Sequence, residues 1–209
     1  MRQEERAVTI ALPGGPGDLE GLYVSGQPPE DGGSVIAPPH PLYGGSMESP
    51  VVSELAHACA RAGLASLRFN WRGVGASAGA ASGDAGPADA DYSAALAHQA
   101  ETVTGELVAA GYSFGACSAV RASQSVARVR RLLLVSPVPA LLDDEALRAF
   151  PGSVLVVAGE ADDLAPAAAL CELAREGSRT RLHVIPEADH FFLSGLAELG
   201  RTAREWLSR

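Results

Sequence analysis

The chain has 209 residues, of which 47% are hydrophobic and 20% are charged, a composition typical of a globular protein with one sizeable core. Its formal net charge of −9 makes it a poor candidate for binding nucleic acid, which needs a clustered basic surface. No apolar stretch approaches the roughly 20 residues that span a bilayer, and the charged start of the chain lacks the apolar segment of a secretory signal. We therefore expect a cytoplasmic protein that binds neither nucleic acid nor membrane.

The cysteines and the arginine group of this sequence do not indicate a disulfide, a metal site or a binding site. The three cysteines, Cys59, Cys117 and Cys171, are widely spaced and odd in number, which argues against a disulfide framework and against a zinc site. The arginine group at 128, 130 and 131 precedes an apolar run and is interpreted as a solvated helix end. We predict no metal and no cofactor.

The hydrophobic pattern predicts alternating strands and helices along the chain. The predicted strands are 7–12, 21–24, 34–37, 65–69, 106–110, 132–135, 154–158 and 182–185. The predicted helices are 51–62, 88–100, 115–126, 166–175 and 196–207. A Gly/Pro-rich turn joins the first two strands, which favours an antiparallel hairpin at a sheet edge. The later alternation indicates βαβ units, so we expect an α/β protein with a mostly parallel sheet of about eight strands covered on both faces, a single domain over 1–209.

A candidate nucleophile lies between the fifth strand and the helix that follows it. The segment Gly111-Tyr112-Ser113-Phe114-Gly115 has the G-x-S-x-G pattern. A serine between a strand and a helix requires a sharp turn, and small residues two positions before and after it let the strand and helix approach closely. The turn lifts the Ser113 hydroxyl above the sheet at the positive end of the helix.

The partners that a serine nucleophile needs occur downstream, each directly after a predicted strand. A base must take the hydroxyl proton, and an acid must hold the base in one tautomer. Asp162 is the preferred acid, with Asp163 as the alternative, and His190 is the base. The carboxyl ends of parallel strands lie at one edge of a sheet, which is where we expect Ser113, Asp162 and His190 to meet.

Acyl transfer also requires two N–H donors for the oxyanion. One is the amide of Phe114, next to the nucleophile, and the other belongs to the loop after the third strand. Prolines at 38, 39 and 41 have no N–H, so the donors available there are those of His40, Leu42 and Tyr43, of which we favour Leu42 and place Tyr43 second. The candidates for the substrate pocket are Tyr43, Tyr112 and Phe191.

Four motifs together resemble the small lid-less bacterial α/β hydrolases, a branch related to dienelactone hydrolases and serine esterases. These motifs are 40–47 (HPLYGGSM), 69–77 (FNWRGVGAS), 111–115 (GYSFG) and 189–192 (DHFF). The resemblance covers about 20 to 205 and implies the α/β-hydrolase fold, a three-layer αβα sandwich. It also implies triad positions at Ser113, Asp162 and His190, oxyanion positions at Leu42 and Phe114, and a carboxylester or acyl hydrolase activity. The chain departs from the family at Pro39 and in its Ala-rich loop 76–86.

We expect the protein to cleave a small carboxylic ester or related acyl bond of a small-molecule substrate, with an acyl-enzyme as the intermediate. We expect it to be a monomer or a homodimer. Only residues 137–152 separate two predicted strands at the point where lipases insert a cap domain, so we expect no cap and an open, shallow site. A thioesterase, acyltransferase or peptidase with the same triad is an alternative. A hydrolase fold used only for binding is another, because fold does not fix function.

Overall fold

Eight strands form one sheet in the computed structural model, which describes residues 4–27, 31–176 and 179–209. The strands are β1 (Glu5–Ile10), β2 (Leu19–Val24), β3 (Gly33–Ala37), β4 (Ala65–Phe69), β5 (Leu107–Tyr112), β6 (Val129–Val135), β7 (Ser153–Gly159) and β8 (Thr180–Ile185). The helices of the described part are α1 (Pro50–Arg61), α2 (Ala85–Thr102), α3 (Phe114–Ser123), α4 (Asp144–Ala149), α5 (Ala167–Glu176) and α6 (Leu196–Leu207).

The sheet is parallel except at one edge. Its strand order is β1-β2-β4-β3-β5-β6-β7-β8, and the hairpin of β1 and β2 pairs antiparallel to β4. All pairs from β4 through β3 to β8 are parallel. The loops that follow β3, β5, β7 and β8 therefore emerge at one edge of the sheet, which we call the carboxyl edge.

Helices cover both faces of the sheet because its central strands are apolar on both sides. One core contains Val52 and Leu55 of α1 and Leu199 of α6. The other contains Tyr92 and Leu96 of α2, together with residues of α3 and α5. The expected three-layer α/β-hydrolase architecture is confirmed. Within the described ranges, every helix is too short or too polar to cross a bilayer.

The predicted elements are present, with shifts at their ends. The first strand ends at Ile10 rather than Leu12, because a turn begins there in which the Gly15 N–H donates to the Leu12 carbonyl at 2.9 Å. The short helix α4 was not predicted, although Asp143 begins it by accepting a hydrogen bond from the Ala146 N–H at 2.9 Å. The segment between β6 and β7 holds α4 and a single 3₁₀ turn, so no cap domain lies there.

The prediction that residues 128, 130 and 131 form a solvated helix end is wrong. Arg130 and Arg131 lie in β6, which begins at Val129, three residues before the predicted start of that strand at 132. Arg128 precedes the strand, and its guanidinium donates to the carbonyls of Ala100, Val103 and Gly105. Backbone carbonyls in the last turn of α2 and just beyond it thus accept hydrogen bonds from Arg128.

Candidate active site

Ser113 is the single residue between β5 and α3, and its backbone has the strained conformation expected for a nucleophile turn. Its φ is 56° and its ψ is −119°, a region that residues with a β-carbon rarely adopt. The Ser113 N–H donates to the Val135 carbonyl of β6 at 2.8 Å, which anchors the turn to the neighbouring strand. The turn places the serine hydroxyl at the carboxyl edge.

Two glycines allow this turn because they remove side chains from two close backbone contacts. A β-carbon at Gly111 would lie 2.3 Å from the Gly115 carbonyl oxygen, and one at Gly115 would lie 2.4 Å from the Pro38 carbonyl oxygen. Both distances are far below van der Waals contact. Gly115 therefore sets how closely α3 approaches the end of β3 and the loop that follows it.

His190 connects Ser113 to Asp162 through a chain of hydrogen bonds. The Nε2 atom of His190 lies 3.0 Å from the Ser113 Oγ, and its Nδ1 lies 2.9 Å from both carboxylate oxygens of Asp162. A carboxylate can only accept, so Nδ1 carries the proton and the Nε2 lone pair faces the serine hydroxyl. All three side chains are largely buried. The alternative acid, Asp163, is exposed and does not make this contact among the described hydrogen bonds.

The carboxyl group of Asp162 is held in its ionised form. Burial raises its pKa, but this effect is outweighed by hydrogen bonds from His190 and from the Ala165 N–H, so the pKa lies below its ordinary value. One carboxylate oxygen accepts from the Leu164 N–H at 3.0 Å and from the Ala165 N–H at 2.8 Å. The buried Ser136 hydroxyl also lowers the pKa of Asp162, although this hydroxyl makes no hydrogen bond of ordinary geometry with a described residue.

Tyr112 lies beneath His190 and does not reach the surface. Its side chain is 4% exposed, and its hydroxyl donates to the His190 carbonyl oxygen at 2.7 Å. Burial, with the charges of Asp162 and Asp189, raises the pKa of Tyr112, so the hydroxyl keeps the proton it donates. The expectation that Tyr112 lines the substrate pocket is wrong, because the ring is covered and the hydroxyl is used to hold the His190 backbone.

The loop after β3 does not present Leu42 as a free donor, so the preference for that residue is also wrong. The Leu42 N–H donates to Nδ1 of His40 at 3.2 Å, and the Tyr43 N–H donates to the His40 carbonyl at 3.1 Å. Burial lowers the pKa of His40, which keeps its ring neutral and able to accept. Of the three amides considered for this loop, only that of His40 has no acceptor among the described residues.

Trp71 fixes this loop, and sequence reasoning assigned it no role. Its indole N–H lies 3.0 Å from the Pro39 carbonyl and 3.3 Å from the Pro38 carbonyl. The adjacent Arg72 forms an ion pair with Asp91 of α2 at 2.6 Å. Nearby, the Met47 N–H donates to the Asn70 side chain at 2.8 Å. The motif 69–77 thus holds the loop after β3 in place. The sequence signal for this role was a tryptophan, whose indole N–H can donate, together with a proline-rich loop whose carbonyls can accept.

Large exposed apolar side chains gather at the carboxyl edge. Such side chains in the described part of the chain all lie in loops that follow β3, β6, β7 or β8; they are Leu42, Tyr43, Leu141, Leu164, Phe191 and Leu193. Two of them, Tyr43 and Phe191, were predicted to line the pocket, and they are 87% and 65% exposed. We call these six residues the apolar rim.

The chain matches no family model, but it is similar to one curated protein and to several solved α/β hydrolases. It is 28% identical over 209 residues to an uncharacterized protein from Rickettsia prowazekii, with 95% of this chain and 87% of that protein covered. A putative α/β hydrolase of unknown function from Agrobacterium tumefaciens superposes with a TM-score of 0.87 at 28% identity, covering 98% of this chain and 95% of that one. An α/β serine hydrolase without a lid from Xanthomonas campestris gives 0.80 at 27% identity, covering 100% and 98%. Over its whole length this chain is similar to the lid-less α/β hydrolases. The family and fold predicted from the four motifs are confirmed, and a hydrolase is supported at the level of the family.

The Gly115→Ala substitution tests the close approach of α3 to β3. We expect it to lower the free energy of unfolding by about 3 kcal/mol, because the new β-carbon would displace the Pro38 backbone. Gly86→Ala is the matched control, since nothing lies within 4 Å of a β-carbon there, and it should be neutral or stabilising by up to about 1 kcal/mol. Denaturant unfolding measures both, and equal midpoints for the two variants would contradict the contact.

Proposed function

We propose that this lid-less hydrolase cleaves a small carboxylic ester or related acyl bond, with Ser113 as nucleophile, His190 as general base and Asp162 as the acid that orients it. The observation that carries the proposal is the continuous chain of hydrogen bonds from the Ser113 hydroxyl to the Asp162 carboxylate. A hydroxyl with its proton directed at a neutral imidazole, and an imidazole held in one tautomer by an ionised carboxylate, together form an activated nucleophile.

The reaction proceeds in two acyl-transfer steps. The Ser113 oxygen attacks the carbonyl carbon of the substrate while its proton moves to Nε2 of His190, and a tetrahedral oxyanion forms. Nε2 then gives this proton to the departing alcohol as the carbon–oxygen bond breaks, which leaves an acyl-serine. Water attacks the acyl-serine while Nε2 of His190 takes its proton, and Nε2 then returns a proton to the Ser113 oxygen as the bond to the acyl carbon breaks and the carboxylic acid leaves. The Asp162 carboxylate stabilises the imidazolium formed in each step.

The amides of Phe114 and His40 are the proposed oxyanion donors. The Phe114 N–H begins α3 and has no acceptor among the described residues, as expected for the first amide of a helix. At the Pro39–His40 peptide, the carbonyl points toward the Trp71 indole. Because N–H and C=O point in opposite directions across a trans peptide, the His40 N–H points away from Trp71. The centroids of the His40 and Phe114 rings are 4.8 Å apart, so the two residues that carry the proposed donors are neighbours in space.

The surroundings of Ser113 favour an uncharged, apolar substrate. The apolar rim offers contact area to a hydrocarbon or aromatic group, as clustered exposed apolar side chains do at ligand sites. Acidic side chains also follow the strands at this edge, including Glu160, Asp163 and Glu187. Their negative charge repels anionic substrates. Short neutral aliphatic or aryl esters fit both features.

The nucleophile is tested by Ser113→Ala. We expect a loss of activity toward p-nitrophenyl butyrate on the order of 10⁴–10⁶-fold, because the acyl-serine can no longer form. The control Ser123→Ala removes a buried serine from the other end of α3 and should retain activity within a few fold. A fluorophosphonate probe should label Ser113 in the natural protein and not in Ser113→Ala. Absence of labelling and of activity in the natural protein would favour a binding role instead.

The second oxyanion donor is tested by comparing His40→Pro with His40→Ala. Both variants remove the imidazole, but only proline removes the N–H, and the His40 φ of −61° accommodates a proline ring. We expect kcat of His40→Pro to be about 10²–10³-fold below that of His40→Ala. Melting temperatures should be similar in the two variants. Equal kcat values would exclude this amide from the oxyanion hole.

Tyr112→Phe tests how the backbone of His190 is positioned. Removing the hydroxyl deletes the hydrogen bond to the His190 carbonyl, a loss of about 1 kcal/mol, and should lower kcat about fivefold with little change in KM. Tyr23→Phe, also a buried tyrosine but in β2, is the control and should leave both constants unchanged. A rise in KM at constant kcat in Tyr112→Phe would instead assign the hydroxyl to substrate binding.

A further inference from the structure

An arginine-rich surface lies at the edge of the sheet opposite Ser113, where the parallel strands begin. A cleft of about 740 Å³ there is lined by residues that include Arg130, Arg131, Arg179 and Arg209. A second cleft of about 340 Å³ shares three of these arginines and adds Arg181. We call the two together the arginine cleft. The length of β5 separates it from Ser113 by about 20 Å.

The guanidinium groups of the arginine cleft lack the carboxylate partners that several other arginines of this protein have. Arg68, Arg72 and Arg121 each form an ion pair, with Glu5, Asp91 and Asp89, at 3.0, 2.6 and 2.7 Å. No carboxylate of a described residue lies within 4.0 Å of the five guanidinium groups of the cleft. The cleft therefore holds positive charge that the fold itself does not neutralise.

The balance of charge at this edge is opposite to that of the whole chain. The only acidic side chain that lines the arginine cleft among the described residues is Glu106, against five arginines. An adjoining depression adds Arg61 and Arg204 with Glu205. Seven of the 16 basic residues of a chain with net charge −9 thus gather at one edge.

Part of this surface is held rigid, as a binding site requires. The Arg131 guanidinium donates to the Leu207 carbonyl at 2.7 Å and lies 6.0 Å from the centre of the Trp206 ring. Arg179 donates to the Pro151 carbonyl. These contacts fix two of the arginines while Arg130 and Arg181 stay exposed. Hydroxyl groups of Ser153 and Thr180 add further donors.

We propose that the arginine cleft binds a small anion that carries two or more phosphate groups. Guanidinium groups match phosphate oxygens through paired N–H donors, and several of them without a carboxylate partner in a concave surface favour more than one phosphate. The cleft volume lies in the range of small-molecule sites. An extended nucleic acid is disfavoured, because beyond the cleft its phosphates meet an acidic protein surface. This site is independent of the reaction at Ser113.

Calorimetric titration of the full chain with sodium tripolyphosphate tests the proposal. We expect saturable binding at least tenfold tighter than that of inorganic phosphate and weakening with added salt. The triple variant Arg130→Gln, Arg181→Gln, Arg209→Gln should bind tripolyphosphate at least tenfold more weakly. The control triple variant Arg6→Gln, Arg175→Gln, Arg201→Gln removes the same charge from other exposed positions and should bind within twofold of the natural protein.

Four outcomes would overturn the proposal: no binding of tripolyphosphate, equal affinity for tripolyphosphate and inorganic phosphate, equal weakening in the two triple variants, or tighter binding of a single-stranded oligonucleotide than of tripolyphosphate. Backbone amide shifts on titration of the natural protein give a readout that does not depend on folding of the variants, and they should centre on 152–153 and 179–181. Ser113→Ala should bind tripolyphosphate unchanged, which separates this test from that of the hydrolase.

Discussion

The strained turn at Ser113 is the constraint on which the geometry of this edge depends. A left-handed backbone at a residue with a β-carbon is unfavourable, and it persists here because strand β5, helix α3 and the hydrogen bond to β6 hold it from three sides. The same turn forces α3 against the end of β3, where Gly115 leaves no room for a side chain beside Pro38. Ser113 and the loop that carries His40 are therefore placed by one packing contact. A change at that contact would move both.

The surroundings of the turn are rigid for a related reason, since each loop at the carboxyl edge is fixed by a buried polar group. Trp71 binds the carbonyls of the loop after β3, Asp162 binds the amides of its own loop, and Tyr112 binds the carbonyl of His190. A buried polar group without a partner costs free energy, so these groups favour one loop conformation over others. The proposed chemistry needs such rigidity, because donors aimed in advance at the oxyanion need no reorganisation during the reaction.

The two edges of the sheet differ in charge and polarity. Apolar and acidic side chains follow the strands at the carboxyl edge, whereas arginines without carboxylate partners collect where the strands begin. The parallel topology causes this separation, because it puts the start of every strand from β3 to β8 at one edge and the end at the other. This separation of charge suits the two proposals, a neutral ester beside Ser113 and a multiply charged anion at the opposite edge.

The sequence by itself determined the alternation of strands and helices, the position of the nucleophile turn and the order of Ser113, Asp162 and His190, because these depend on local patterns and on short motifs. It could not determine which of two adjacent aspartates meets His190, or that Tyr112 points down and Leu42 gives its amide to His40. Those outcomes depend on which groups from distant segments come within hydrogen-bond distance. The arginine cleft was invisible for the same reason: its residues come from β6, β8, their flanks and the end of the chain, and only the pairing of strands in the tertiary structure brings their charges together.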